Sequence, residues 1–178
     1  MLGTLITSKT RIKLMVKFFL NASTTSYLRD LESEFGESTN GIRIELKRFE
    51  TAGLLQSHFE GNKRIYKANT NHPLFKDIHS LLLKYTGIDQ IINQVLAQLG
   101  GLEQAWLVGD FARGRDGEVI ELLLKGKNIN LDILQNYITR AETLIERKIR
   151  YLIFTKEPME KIKMQFPERL LLFEGKAI

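Results

Sequence analysis

The chain of 178 residues contains no cysteine. That excludes a disulfide framework and any thiolate metal site. A bilayer-length apolar run is missing as well: the Leu14–Leu20 stretch is short and carries Lys17. No signal-peptide pattern is present. The sequon Asn21-Ala22-Ser23 therefore has no secretory context, and the expected compartment is the cytoplasm, with no membrane partner. What the chain does have is an uneven positive charge. Residues 1–86 hold 13 Lys/Arg against 8 Asp/Glu, whereas residues 87–178 hold 13 against 13. An N-terminal half that carries the whole excess fits a nucleic-acid-binding half joined to a neutral one. A solvated basic surface would give the same count. Hydrophobic content of 43% suffices for packed cores, and the length fits one large domain or two small ones.

The spacing of apolar residues predicts three helices in the first half. Ser8 caps one that runs to about Leu20, with Ile12, Met15, Val16, Phe19 and Leu20 at helical spacing. After a polar break at 21–25, Ser26 caps a second, whose narrow stripe is Leu28, Leu31 and Phe35; Gly36 ends it. Ser38 caps a third, with Ile42, Leu46 and Phe49 as its buried face and Asn40, Arg43, Ile44, Lys47 and Arg48 on the other side. Gly53 stops it. Two short strands follow, Leu54-Leu55 extending toward Phe59 and then Ile65-Tyr66, joined by the turn Glu60-Gly61-Asn62-Lys63.

Helix, tight turn, second helix and basic hairpin is the order in which a winged helix-turn-helix meets duplex DNA. On that reading the helix that starts at Ser38 and Thr39 enters the major groove. Asn40 pairs with adenine, Arg43 with guanine, and Ile44 touches a thymine methyl. Lys47 and Arg48 reach phosphates. Asn62, Lys63 and Arg64 at the wing reach phosphates or the minor groove.

Residues 7–86 resemble the winged-helix domain of the arsenical-resistance-repressor (ArsR) type of transcription regulator. The resemblance is carried by SKTRIKLMVKFFLN at 8–21, YLRDLESEFGES at 27–38, LKRFETAGLL at 46–55 and the wing. It implies sequence-specific binding of double-stranded DNA. Metal-sensing members of that type use cysteine pairs or clustered His and Asp. Here only His72 and His79 fall seven apart, a spacing that suits surface residues; no metal and no cofactor is expected.

His72-Pro73 opens a further helix with Leu74, Ile78, Leu81, Leu82 and Tyr85 on one side. Gly87 interrupts it. A helix with Ile88, Ile91, Ile92, Val95, Leu96 and Leu99 then ends at Gly100-Gly101 and serves as a connector. These wide stripes suit packing onto the second domain or a homodimer interface, since helix-turn-helix proteins read paired half-sites as two-fold dimers. The expected domains are 1–86 and 87–178. In the second, a strand at 105–108, the segment GDFARGRDGEVIELLLKG at 109–126, a helix over 131–147, a strand at 149–154 and a short helix around 158–163 describe a small α/β domain. The fold class expected for the whole chain is α+β.

Residues 104–165 resemble a minimal nucleotidyltransferase domain of the polymerase-β superfamily. The resemblance is carried by Gly109 and by Phe111-Ala112-Arg113-Gly114. In active members a Gly-Ser turn holds the triphosphate, and three carboxylates on neighbouring strands hold divalent metals that activate the attack and stabilise the leaving group. This chain departs from that pattern. The serine position is Asp110, the two carboxylate positions of the first acidic strand are Val119 and Glu121, and the third falls near Arg150 or Leu152. The resemblance therefore implies the frame without the chemistry: no catalytic residues, and a domain used for dimerisation, a protein partner or an unidentified effector. The competing expectations are an active nucleotidyltransferase guided by a winged helix and an interaction adaptor without DNA affinity.

Overall fold

In the computed structural model, which describes residues 6–155 and 159–175, Ser8 caps the first helix by accepting a hydrogen bond from the Arg11 amide at 3.2 Å. Helix α1 spans Lys9–Met15 and continues as a π-helical segment, Val16–Leu20, all five residues of which are buried. The wide π turn is a departure from the single α-helix expected. Phe19 there packs on Phe49 and Phe75, and its carbonyl accepts from His79 Nδ1 at 2.8 Å.

The chain divides between Tyr85 and Thr86 into two units. The first holds a three-stranded antiparallel sheet in the order β1-β3-β2: Thr25–Tyr27, Lys63–Ala68 and Leu55–Glu60. Strand β1 corrects the expected cap at Ser26. That residue is buried, pairs with Tyr66 across the sheet, and leaves the start of helix α2 (Leu28–Phe35) without a side-chain cap. Gly36 ends α2 with φ 63°, and Ser38 caps α3 (Thr39–Thr51) by accepting from the Gly41 amide at 3.2 Å. Ile42, Leu46 and Phe49 are the buried stripe of α3. The wing is a hairpin with two central residues. The first, Gly61, has φ 57°, the position a type II′ turn gives to glycine. Helix α4 (Phe75–Thr86) closes the unit with Leu82 buried and Leu81 exposed.

One buried residue of α3 lies off the apolar stripe. Glu45 is only 6% exposed, and its carboxylate accepts from Arg11 Nε at 2.9 Å, Arg11 Nη2 at 3.2 Å and Arg48 Nη1 at 2.6 Å. The hydrogen bond from Arg11 is the main reason this carboxyl titrates below the usual glutamate range, with Arg48 adding to it and burial opposing.

The second unit is built on a four-stranded sheet in the order β6-β5-β4-β7. Strand β4 (Leu102–Val108) starts three residues earlier than the apolar run suggests and pairs antiparallel with β5 (Val119–Gly126) and β7 (Leu170–Glu174). Strand β6 (Lys148–Phe154) lies parallel to β5. A parallel pair needs a crossover, which α7 (Leu131–Ile145) supplies. Glu146, with φ 54°, ends α7 earlier than the Arg147 expected. Strand β7 was not foreseen. The expected helical start at residue 158 lies outside the described residues; α8 is described from Met159 to Gln165.

The connector reading also changes. Helix α5 (Ile88–Gln94) stops short of Leu99, and Leu96–Gln98 form a separate 3₁₀ turn. Ile88, Ile91, Val95, Leu96 and Leu99 are all buried, and α5 packs against α7. That stripe is core of the second unit, so it is not free to hold a second copy. One sheet face buries Ile120, Leu122 and Leu124. The other carries Trp106, Val108 and Leu123, packed with Phe154, Ile162 of α8 and Phe166.

The Glu45 pair yields a signed expectation. A carboxyl with a lowered folded-state pKa stabilises above its unfolded value and loses that contribution as pH falls through the folded value. Glu45→Gln should therefore cost about 1–3 kcal/mol at neutral pH. The difference should shrink once pH drops below the ordinary glutamate value of about 4.3. Hydrogen exchange of the α3 amides at several pH values measures it; a cost that stays constant into acid would mean that shape rather than charge is at stake.

Candidate functional site

Helix α3 turns its polar side outward because its other side is committed to Ile42, Leu46, Phe49 and Glu45. Asn40, Arg43, Ile44, Lys47 and Arg48 are exposed on it, Ile44 at 44%. Ser38 Oγ is engaged as the cap, and Thr39 is half-buried beside it. The structure separates these residues by partner. Arg48 is bound to Glu45, a carboxylate it shares with Arg11, so its charge is answered only in part within the fold. Among the described residues Arg43 and Lys47 have no carboxylate partner, which leaves their charge open to solvent.

The wing divides in the same way. Asn62 and Lys63 stand exposed at the tip, with Lys63 Nζ 4.2 Å over the Tyr27 ring. Arg64 is not a free tip residue. It sits on β3, donates from Nη2 to Glu50 Oε1 at 2.6 Å and from Nε to Ser57 Oγ at 2.9 Å, and lies against the Phe59 and Tyr66 rings. Phe59 beside it is 72% exposed. A cleft of about 670 Å³ separates α3 from the wing, lined by Tyr27, Arg29, Arg43, Lys63, Arg64 and Tyr66 among others. Sequence reading had not singled out Tyr27 or Arg29. Their signal was the short β-prone Thr25–Tyr27 triplet before a helix, which pairs with the wing strand and so carries Tyr27 to it.

His72 and His79 are each engaged: His72 Nδ1 accepts from the Leu74 amide at 3.1 Å, and His79 holds the Phe19 carbonyl. Among the described residues no three His, Asp or Glu side chains gather in a way that suits a metal ion.

In the second unit Gly109 and Glu121 come together. Val108 leads directly into Gly109, whose φ is 67°, and Gly109–Ala112 form one helical turn, α6. Phe111 and Ala112 are buried, Gly114 follows with φ 72°, and Arg113 lies 3.7 Å from Glu168. Asp110 is exposed, 3.9 Å from Arg115. On β5, Glu121 stands opposite Val108, and a Cβ built on Gly109 would overlap the Glu121 carboxylate. The acid therefore fills the space beside the Gly109 backbone. In register beside it on β6 is Arg150, while Val119 stands beside Lys148 and Leu123 beside Leu152. Paired residues of parallel strands share a face. On that face Val119, Glu121 and Leu123 stand beside Lys148, Arg150 and Leu152, so Glu121 is its one carboxylate among these six residues. Arg147 braces the loop, bound to Asp116 at 2.9 Å and to the Gly117 carbonyl, over the Phe111 ring.

No protein-family model matches the chain, and no curated protein matches it. Among solved structures, similarity extends to AF1382 of Archaeoglobus fulgidus, with a TM-score of 0.38 and 14% identity, over 46% of this chain and 93% of that one. It also extends to a putative nucleotidyltransferase from Sulfolobus solfataricus, with a TM-score of 0.35 and 20% identity, over 55% of this chain and 86% of that one. Likenesses at these scores carry no argument about function. No helix among the described residues is long and apolar enough to cross a membrane.

The placement of Glu121 in the Gly109 turn is testable by a double-mutant cycle. Gly109→Ala should cost about 1–2 kcal/mol through its left-handed backbone alone, plus whatever displacing the carboxylate adds. In a Glu121→Ala background only the backbone part should remain. Denaturation followed through Trp106, the one tryptophan and buried in this unit, reads it; strictly additive costs would show that the carboxylate does not occupy the turn.

Proposed function

We propose that the protein is a sequence-specific DNA-binding transcriptional regulator. On this reading the first unit is a winged helix-turn-helix of the ArsR type, and the second is a nucleotidyltransferase-like domain that no longer catalyses transfer. The observation that carries the proposal is the division of labour on α3. One side is locked to α1 by Glu45, and the other presents Asn40, Arg43 and Lys47 to solvent beside the basic wing tip. The unpaired cations supply sequence-independent affinity for phosphates. Asn40, near the N-terminus of the helix, is placed to read adenine through its amide. Exposed Leu74 and Leu81 offer an apolar surface through which two copies could read a two-fold site.

The second unit supports the non-catalytic reading through its chemistry. One carboxylate in place of three cannot hold two divalent ions, and that carboxylate meets an incoming triphosphate with like charge. Its role is then to bind an effector or a protein partner.

Two experiments test this. Titration of labelled DNA from the gene's own upstream region, against random duplex and at two salt concentrations, should show specific binding. Asn40→Ala should cost about 1–3 kcal/mol on the specific site only. Lys47→Ala should weaken all sequences alike and reduce the salt slope by about 1. Equal losses for Asn40→Ala on both DNAs would remove its base-reading role. Separately, labelled-nucleotide transfer with magnesium or manganese should be absent; transfer that disappears on Glu121→Ala would replace the proposal with an active transferase.

A further inference from the structure

We infer that the cleft between the start of α2, helix α3 and the wing seats a backbone phosphate of the bound DNA, with Arg29, Arg43 and Lys63 as its cations and Tyr27 as its wall. The inference rests on the DNA-binding reading and assigns Arg29 and Tyr27 to the interface for the first time. Three elements distant in sequence build the cleft. Strand β1 pairs with β3 and so sets Tyr27 opposite Ile65, which lies between Arg64 and Tyr66 on the wing strand. Arg43 enters from α3, and Lys63 from the wing tip.

The charge balance is one-sided. Four cations line the cleft and no carboxylate does. Arg64 is answered by Glu50 at 2.6 Å, but among the described residues Arg29 and Arg43 have no carboxylate partner and Lys63 has only the face of Tyr27. Like charges converging on a shared concavity repel unless an anion lies between them. The arrangement is thus complementary to a group with several acceptor oxygens, and the guanidinium forks suit the geometry of phosphate. The Tyr66 phenol in the floor is buried, which raises its pKa above the ordinary value against the pull of Arg64 and Arg43; it stays protonated and able to donate. The start of α2 lies in the same wall, and its dipole adds to the field.

A backbone phosphate is favoured over a free phosphate compound by continuity. Arg43 belongs both to the cleft and to the exposed side of α3 that carries Asn40 and Lys47, so a strand lying along that side passes the opening. Arg43 is then a phosphate ligand rather than a guanine reader, which changes the role expected from its position on the helix.

The test compares wild type, Arg29→Gln and Lys67→Gln, the last removing an exposed charge from β3 outside the cleft. Fluorescence anisotropy with a labelled duplex is read over a potassium chloride series, with circular dichroism to check folding. Arg29→Gln should weaken binding roughly three- to tenfold at moderate salt and lower the salt slope by about 1. Lys67→Gln should leave the slope unchanged, and Arg29→Lys should restore part of the loss. If wild type binds duplex but Arg29→Gln matches Lys67→Gln, the cleft assignment falls and DNA binding stands. If wild type binds no duplex, both fall. In that case, Arg29-dependent binding of inorganic phosphate, followed by shifts of the Arg29 and Arg43 amides, would reassign the cleft to a free phosphate ligand.

Discussion

The orientation of α3 depends on a set of charges held between helices. From α1, Arg11 reaches Glu45 and Lys13 reaches Glu37 at 2.8 Å, and from the π-helical segment Lys17 reaches Glu34 at 2.7 Å. The Lys17–Glu34 pair is nearly as buried as Glu45 itself. A pair removed from water, as Lys17–Glu34 is, contributes little net stability, because desolvation consumes most of the attraction, yet breaking it leaves a buried charge. Their effect is to penalise any rotation or slip of α2 or α3 against α1. Apolar contacts at Ile42 and Leu46 would tolerate a small rotation; a bidentate Arg11–Glu45 contact would not. The direction in which Asn40, Arg43 and Lys47 point is a consequence of that constraint.

The second unit solves a different problem. Its central strands are buried on both faces, so its packing is set by alternation. Ile120, Leu122 and Leu124 face one way, and Val119, Glu121 and Leu123 the other. Position 121 shares the face on which Val108, Leu123, Phe154 and Ile162 of α8 pack, and the Gly109 turn approaches it there. A glycine is needed at 109 for two separate reasons, the left-handed φ and the volume taken by Glu121. The turn is therefore a packing motif, with a carboxylate filling space in it.

The elements with strong local signals were legible in the sequence. The caps at Ser8 and Ser38, the stop at Gly36, the buried stripe of α3 and the Gly61 turn each follow from a residue's own stereochemistry. What was not legible depended on partners far along the chain. Ser26 looks like a helix cap, but β3 recruits it into a sheet. Leu170–Glu174 is a short apolar run whose strand character comes from β4. The stripe on residues 88–99 reads equally well as an interface or as core, and only α7 decides. In the candidate interface, exposure of Asn40, Arg43 and Lys47 followed from periodicity. The ties of Arg48 to Glu45 and of Arg64 to Glu50 did not, because a sequence shows how many charges there are and not which of them are already matched.

That distinction sharpens the meaning of the charge excess in residues 1–86. Much of the positive charge there is structural: Arg11, Lys13, Lys17, Arg48 and Arg64 all meet carboxylates. The net surplus must then be expressed by the cations that do not. Arg29, Arg43, Lys47 and Lys63 lie on or beside one helix and its wing. Coulomb interactions with an external polyanion scale with the unmatched charge near it, since matched pairs present dipoles whose field decays faster and is screened within about 10 Å at ordinary salt. Four of the unmatched cations gathered on one side, on a helix held to α1 by Glu45, give part of a modest overall excess a direction. Arg11, Lys13 and Lys17 meet their carboxylates on the side of α1, while Arg48 and Arg64 hold theirs close to the exposed cations.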